Sequence, residues 1–523
     1  MESPSSESIA GRQPHSRSSR LIHADVLTLA ALMAASAAVR WPNLWLIPAF
    51  SDETLEAKLA IAIARGQSLP LTSVDPYIGA GWNYLAAIVM LAFGISAWVP
   101  RALAFLFGTF GVVATWLLAR EMGGRLAGVV AAVWLAACST HVLVNSHVGW
   151  SHSSTPTLVT AGAYCLVRAL TRETAPGAWL SAAALLLGLS VQSHITAVLV
   201  LPGCALFVWA RRRRLRGWRV PAAALTAFAI GAGTLLVYNI LTGGDSFRGG
   251  QRVVADYTGE DAGVDPRDYL ENLHRLALGT GWVLSGAIEK RRYVGESLLD
   301  PLTTGYLTLA ITGLAWSARR GGWLPLAIVA PFALAMPLVN PKYEPLLNGR
   351  YVMVVLPLVF TAIGVACGDL LMRATTLSRP VRIAGVLLVG LASVYPLVGL
   401  VRYERSTERT NHAVLLALEA VHAELRPGET LLVDYGLDSV FYMAAGSAFR
   451  SLDLLLTAAD TPYTVVDARP ASFAEHVGDG PPRLALVAAD KLTPLSRAFT
   501  LTPVGDSWRG PGFGVYRVSA RRG

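Results

Sequence analysis

The residues Phe-Ser-Asp-Glu-Thr-Leu-Glu occupy positions 50–56, directly after the first long apolar run of the chain. They place two adjacent carboxylates, Asp52 and Glu53, and a third at Glu56 where the chain leaves that run. The apolar residues that follow recur at helical spacing and are Leu55, Leu59 and Ile63. This pattern predicts a helix lying along a membrane surface, so the stretch predicts acidic groups held on one face of a bilayer.

The composition indicates a polytopic helical membrane protein. Of the 523 residues, 53% are hydrophobic and only 15% are charged, whereas soluble domains carry roughly 25% charged residues. Apolar runs of about 20 residues recur along the chain, which is the length that spans a bilayer as a helix. The net charge of +9 comes mainly from arginines in the short loops between these runs. We therefore interpret it as orientation in the membrane and predict no nucleic-acid partner.

The arginines also predict the topology. They precede the first span, about Val26 to Ile47, and then follow alternate spans, most densely at residues 211–216. The apolar piece from Tyr84 to Phe93 is too short to span and is interpreted as interfacial or re-entrant. Counting it as a span would place the run at residues 211–216 outside the cell. The alternation predicts about 11 transmembrane helices in the cell membrane, with a cytoplasmic N-terminus and an outer loop at residues 49–100.

Three regions follow from this topology. Residues 1–23 are predicted to be a disordered cytoplasmic tail, and residues 24–402 the all-α transmembrane domain. Residues 243–299 form a long polar outer loop with one predicted helix, from Arg267 to Leu278. The first apolar run is too long for a signal peptide and is taken as an uncleaved span.

Residues 403–523 predict a small extracytoplasmic α/β domain, because short strands alternate with helical stretches. The predicted strands are Thr430 to Asp434, Tyr463 to Val466, Arg483 to Val487 and Gly514 to Val518. The predicted helices are Thr410 to Leu425, Asp438 to Ala444 and Ala471 to His476. No G-x-G-x-x-G motif follows a strand, so no nucleotide site is predicted.

Several motifs, in their order along the chain, resemble those of the polytopic GT-C glycosyltransferases that use polyprenyl-phosphate-linked sugars. This group includes protein O-mannosyltransferases and aminoarabinose transferases. The motifs are Asp52-Glu53 before the surface helix, Phe93-Gly94 before residues 99–104, residues 117–121, residues 127–132, and Gly349-Arg350-Tyr351 before Pro357. The resemblance covers roughly residues 25–400. It implies a GT-C-like fold and transfer of a sugar to an extracytoplasmic envelope glycan, lipid or protein.

The resemblance implies that Asp52 is the catalytic base. An acceptor hydroxyl needs an aligned base as it attacks the sugar C1, and attack opposite the phosphate inverts that carbon. Glu53 would orient the acceptor or tune Asp52. The alternative for both acids is a solvated cap at the start of the surface helix.

The leaving lipid phosphate needs cations or hydrogen-bond donors near the bilayer surface. Arg350 is the first candidate and Tyr351 a further donor, with Lys342, Arg40 and Lys58 behind them. The alternatives are snorkelling arginines among interfacial aromatic residues and an ordinary loop charge at Lys342.

The second outer loop lacks the carboxylate that family members often have there. Its polar pocket candidates are His147, Trp150 and His152, with His194 on the same face. No two outer histidines have the i,i+4 spacing of a helical metal site, so no metal ligand is assigned, although a divalent metal remains an alternative. The four cysteines lie in apolar runs, which predicts neither a disulfide nor a redox motif.

Two other functions remain open from sequence. A transporter or flippase for a lipid-linked glycan would also have many spans, but its ionisable residues typically lie near the midplane. A non-catalytic envelope assembly protein would act through the C-terminal domain. The acidic pair favours the transferase.

Overall fold

The structure is a computed structural model. It describes residues 15–45, 51–172, 175–215, 217–258, 266–290, 292–346, 348–374, 378–434, 448–478, 480–505 and 512–520. Side chains are not described for residues 15–23, 51, 253, 256–258, 266, 406–413 and 448–452. The predicted helix from Asp438 to Ala444 lies outside the described residues.

Helices make up the part of the chain before residue 425. They are α1 (His15–Arg40), α2 (Ser51–Ala64), α3 (Gly81–Phe93), α4 (Val99–Ala137), α5 (Ser139–Ser146), α6 (Thr155–Thr171), α7 (Pro176–Ser193), α8 (Leu201–Arg211), α9 (Arg219–Gly231), α10 (Gly233–Thr242), α11 (Asp245–Thr258), α12 (Pro266–Ser285), α13 (Pro301–Arg319), α14 (Leu324–Val339), α15 (Arg350–Met353), α16 (Leu356–Arg373), α17 (Arg379–Val394) and α18 (Leu397–Glu424). Helix α1 begins within the segment predicted to be a tail.

The apolar helices confirm a membrane protein. Among the described residues, four helical segments are long and apolar enough to cross a bilayer: Val99–Ala137, Ile195–Arg214, Leu356–Arg373 and Arg379–Arg405. The pair α9 and α10, bent by 79°, makes a fifth if it counts as one span. Helices α3 and α14 are apolar but shorter. The number of 11 spans and their orientation stay predictions.

Helix α4 is long enough to contain two membrane spans. Its 39 residues would make a straight helix of about 58 Å, roughly twice the hydrocarbon thickness. The helix instead breaks at Gly124, where φ is +85° and ψ is −179°. Only glycine adopts this backbone conformation readily. The break lies between Arg120 and Arg125.

The structure corrects several predicted elements. The long polar loop contains two helices, because α11 forms over a glycine-containing stretch and α12 continues to Ser285. The apolar stretch after Gly349-Arg350-Tyr351 is divided into α15 and α16, and Pro357 lies in the first turn of α16. The helix predicted from Thr410 begins earlier, at Leu397, so α18 runs from the membrane part into the C-terminal domain.

The C-terminal domain contains a five-stranded mixed sheet. Its strands are β1 (Leu431–Asp434), β2 (Tyr463–Val466), β3 (Arg483–Ala488), β4 (Phe499–Pro503) and β5 (Phe513–Ala520), in the order β2-β1-β3-β5-β4. The first three are parallel, and β5 is antiparallel to β3 and β4. Its helices are α19 (Ala448–Ala458), α20 (Pro470–Val477) and α21 (Leu492–Ala498). Strand β4 is the one strand that the sequence analysis missed.

This domain packs against the helix that carries the acidic residues. Leu454 of α19 lies in one apolar cluster with Ala57, Ala60 and Ile61 of α2. Beside it, Lys58 forms an ion pair of 3.0 Å with Asp453. Helix α2 therefore packs against both α3 and α19 of the C-terminal domain.

Candidate active site

The three acids of α2 point in different directions. Residues four apart lie on one face of a helix, whereas adjacent residues are turned by about 100°. Asp52 and Glu56 therefore face the same cavity, and Glu53 points away from it. The exposed fraction of the Asp52 side chain is 41%, compared with 1% for Glu53. Asp52 is therefore accessible to solvent, whereas Glu53 is buried.

Glu53 forms a bidentate ion pair with Arg101 of α4. The Arg101 Nε and Nη2 atoms donate to the two carboxylate oxygens over 2.6 and 3.0 Å. The Gly149 backbone N–H also donates to Glu53 over 2.8 Å, and Arg101 donates to the Leu44 carbonyl. The pair thus connects α2, α4, the end of the first span and the second outer loop. Glu53 has a positioning role here and does not line the cavity.

Glu56 is the acid that the sequence analysis did not assign to the site. Its oxygens accept hydrogen bonds from the Ser151 backbone N–H and hydroxyl over 2.6 and 2.8 Å. Burial raises the pKa of Glu56 from 4.5 to about 8, and the hydrogen bonds from Ser151 oppose that rise. Glu56 therefore holds a proton at neutral pH. Its position four residues after Asp52 was the signal for this placement.

Arg350 is the cation of the cavity. Its Nη1 atom lies 2.9 Å from Asp52 Oδ2, and its Nη2 atom donates to the Tyr351 hydroxyl over 3.1 Å. The guanidinium carbon also lies 4.7 Å from the Trp150 ring centroid and 5.0 Å from that of Tyr351. Two aromatic faces and a carboxylate therefore hold the guanidinium in place.

Six of the ten predicted site residues line this one cavity: Asp52, Trp150, His152, His194, Arg350 and Tyr351. The other lining residues are Glu56, Asp75, Tyr77, Ile78, Ser151, Ile195, Thr196, Gly250, Val254, Met336, Val339 and Asn340. They come from parts of the chain about 300 residues apart. Burial raises the pKa of Asp75 while its hydrogen bond from Tyr77 lowers it. Asp75 was not among the predicted site residues.

Two of the three predicted pocket histidines are in edge-to-face contact. The ring centroids of His152 and His194 are 4.4 Å apart. His194 Nδ1 is hydrogen-bonded to the Thr196 hydroxyl over 2.8 Å. His152 is buried, and neither of its ring nitrogens has a hydrogen-bond partner among the described residues. Burial lowers the pKa of His152 well below 6.5, so a neutral ring with unused polar atoms faces the cavity.

The other predicted cations do not line the cavity. Arg40 is completely buried and donates to Ser146, Ser36 and the Leu135 and Ala136 carbonyls, so it ties α1 to α4 and α5. Lys342 is exposed in the segment after α14. The predicted second-rank cation Lys58 instead contacts the C-terminal domain.

His147 also differs from its predicted place. Its Nε2 atom lies 2.6 Å from the Arg40 carbonyl, which places it in the buried network of the first span. Within the described part of the chain, no group of three or more His, Cys, Asp or Glu side chains is arranged to hold a metal ion.

We predict that Glu53→Gln destabilises the protein strongly. The substitution leaves Arg101 charged and buried without its carboxylate, and breaking such a pair costs about 3–5 kcal/mol. The measurement is the free energy of unfolding in detergent. The control is Asp460→Asn, which removes a carboxylate that pairs with Arg65 but is 88% exposed. Equal destabilisation by the two substitutions would contradict the positioning role.

We also predict that Glu56 makes the stability depend on pH. Because its folded-state pKa of about 8 lies above 4.5, the folded state binds a proton that the unfolded state releases between these values. Raising the pH through this range therefore removes stability, and the contribution is complete only below the unfolded-state pKa. The melting temperature should fall from pH 5 to pH 8, and Glu56→Gln should flatten that decline. The exposed control Glu419→Gln should leave the slope unchanged; a flattening by both would contradict the assignment.

Residues 80–237 match the family model described as dolichyl-phosphate-mannose-protein mannosyltransferase. Comparison with curated protein sequences finds no significant match.

Solved structures share the fold over nearly the whole chain. ArnT from Cupriavidus metallidurans bound to undecaprenyl phosphate has 14% sequence identity and a TM-score of 0.55, over 94% of this chain and 97% of that chain. The Archaeoglobus fulgidus oligosaccharyltransferase tethered to an acceptor peptide has 13% identity and a TM-score of 0.50, over 95% of this chain and 74% of that chain. Residues 80–237 are therefore similar to the dolichyl-phosphate-mannose-protein mannosyltransferases, and the chain as a whole has the GT-C-like fold of these membrane glycosyltransferases.

Proposed function

We propose that this protein transfers a sugar from a polyprenyl-phosphate donor to a hydroxyl acceptor, with inversion at C1 and with Asp52 as the base. The acceptor is an extracytoplasmic envelope glycan, lipid or protein. The observation that carries the proposal is the Asp52–Arg350 pair in one cavity, because it sets a carboxylate beside a cation that suits a phosphate.

Asp52 is the acid best suited to remove the acceptor proton. It is the most exposed of the three acids on α2, and it lines the cavity. Glu53 is committed to Arg101, and Glu56 is buried and protonated. A protonated Glu56 also spares Asp52 a second negative charge on the same helix face. Of the three acids on α2, Asp52 is therefore the accessible carboxylate that can act as the base.

Arg350 is placed to bind the donor phosphate. An arginine guanidinium matches the geometry of phosphate oxygens and stabilises the charge that develops as the sugar leaves. The Tyr351 hydroxyl is the nearest additional donor. When the phosphate arrives, Arg350 exchanges its carboxylate partner for a phosphate, and Asp52 is released toward the acceptor.

The remaining lining residues supply polar contacts for the sugar. The ring nitrogens of His152 and the carboxyl group of Asp75 face the same space as Asp52. Neutral imidazole and hydroxyl groups suit the hydroxyl groups of a sugar, and Trp150 presents an aromatic face.

The test is sugar transfer by Asp52→Asn. Membranes from cells that lack the protein are supplied with purified variant and radiolabelled polyprenyl-phosphate sugars, beginning with the mannose donor of the matched family. Loss of a positioned base lowers the rate by about 100-fold or more. The folded fraction is checked by gel filtration and by the melting temperature.

The matched control is Asp460→Asn, the same chemical change at an exposed position remote from the cavity lining. It should transfer sugar at the wild-type rate. Near-normal turnover by folded Asp52→Asn would refute the base assignment, whereas failure of the wild type with every donor would count against the transferase itself.

A further inference from the structure

A second cavity lies at the opposite end of the helix bundle. Three residues of the active-site cavity lie next to helical segments: His152 precedes α6, His194 directly precedes the segment Ile195–Arg214 that contains α8, and Asn340 directly follows α14. The other ends of these segments meet around a cavity of about 320 Å³. The 17 residues of α6 span about 25 Å, which is close to the hydrocarbon thickness of a bilayer. The two cavities therefore lie near opposite surfaces of the membrane.

The charge of this second cavity is positive. Arg172, Arg211 and Arg320 line it, and Glu121 is the one acid among its lining residues. Glu121 is already shared, because Arg172 and Arg168 both pair with it, over 2.6 and 3.4 Å. Glu121 therefore neutralises only part of the positive charge of the arginines around it.

Arg320 shows the same sharing. It pairs with Asp369 over 2.7 Å, and Asp369 also accepts from Arg373 over 3.1 Å. One carboxylate again serves two guanidinium groups. The cavity keeps a surplus of positive charge that an anion would neutralise.

Arg211 is set apart from the arginine run to which it belongs. Arg212, Arg213 and Arg214 are exposed, as expected for residues that orient a membrane protein. The Arg211 guanidinium instead lies 4.1 Å from the Phe207 ring centroid and 5.3 Å from that of Trp323.

One hydrogen-bond donor of Arg211 has no partner in the described structure. Its Nη1 atom is buried without a hydrogen-bond partner in the described structure, and Arg211 has no ion pair among these residues. A buried donor of a charged group is costly unless something accepts from it. The two rings hold this donor in a fixed orientation in the wall of the cavity.

We propose that this cavity binds a phosphate group, presented either by an anionic lipid headgroup or by free inorganic phosphate, with Arg211 and Arg320 as its donors. Guanidinium groups bind phosphate oxygens through paired hydrogen bonds. Basic pockets between membrane helices suit such headgroups. The apolar side chains of Met122 and Leu324 in the same wall suit the glycerol and acyl portion of a lipid. This site is separate from the donor site and does not rest on the proposed function.

The experiment measures binding to the purified full-length protein in detergent. The probes are dioctanoyl-phosphatidylglycerol, inorganic phosphate and, as an uncharged comparison, dioctanoylglycerol. We expect phosphatidylglycerol to bind and Arg211→Gln to weaken it by about tenfold, the loss typical of a charge-assisted hydrogen bond. Arg213→Gln removes the same charge from an exposed neighbour and should weaken binding less than about twofold by the same reasoning.

The probes distinguish the two sources of phosphate. Tighter binding of phosphatidylglycerol than of inorganic phosphate identifies a lipid, and equal binding identifies free phosphate. Equal losses in Arg211→Gln and Arg213→Gln would overturn the proposal, because they would indicate only a diffuse positive surface. Equal binding of dioctanoylglycerol and phosphatidylglycerol would overturn it as well.

If Arg211→Gln does not fold, Arg320→Gln tests the second donor in the same cavity. Its expected loss is again about tenfold. Unchanged phosphatidylglycerol binding by folded Arg320→Gln would also overturn the proposed pair of donors. The melting temperature without added lipid shows whether each variant is folded.

Discussion

Glu53 and Arg101 form an ion pair that is almost completely removed from solvent, with both carboxylate oxygens engaged by the guanidinium. Removing two charges from water is expensive, and only good geometry with further hydrogen bonds offsets the cost. The Gly149 N–H and the Leu44 carbonyl complete that geometry. The pair thereby fixes the rotation of α2 about its axis, and this rotation decides that Asp52 and Glu56 face the cavity.

Arg350 is the second fixed point, and it depends on the first. Its partner Asp52 lies beside the cavity only because Glu53 is turned toward α4. Trp150, which stacks on the guanidinium, follows Gly149 in the same loop that caps Glu53. Breaking the Glu53–Arg101 pair would therefore displace both Asp52 and the Trp150 ring that stacks on Arg350. The C-terminal domain adds a third support, because Leu454 of α19 packs against Ala57, Ala60 and Ile61 of α2.

The sequence was informative where charge and hydropathy dominate. It indicated a helical membrane protein, a C-terminal sheet, and Asp52 with Arg350 on one face, although 298 residues separate the two. It predicted Glu53 as part of the site and gave Glu56 no role, whereas Glu56 lines the cavity and Glu53 pairs with Arg101. The direction of each side chain depends on how α2 is rotated. That rotation is set by Arg101, a tertiary partner that no local pattern reveals.

Burial explains other differences between the predicted and the observed positions of side chains. Arg40 appeared to be an interfacial cation, but carbonyl groups near the end of α4 and the hydroxyl of Ser146 satisfy it inside the bundle. His147 joins that network, whereas His152 and His194 face the cavity. Strand β4 was missed because its stability comes from pairing with β5 and its residues include Pro503 at the edge of the sheet.

The most direct test of the exchange between Asp52 and phosphate at Arg350 is the affinity for polyprenyl phosphate alone. Wild type, Asp52→Asn and Arg350→Gln are compared by equilibrium binding in detergent. Removing the competing carboxylate should leave binding as tight as in the wild type or tighter, whereas Arg350→Gln should weaken it by about tenfold or more. Equal weakening by both substitutions, or unchanged binding by Arg350→Gln, would contradict the account.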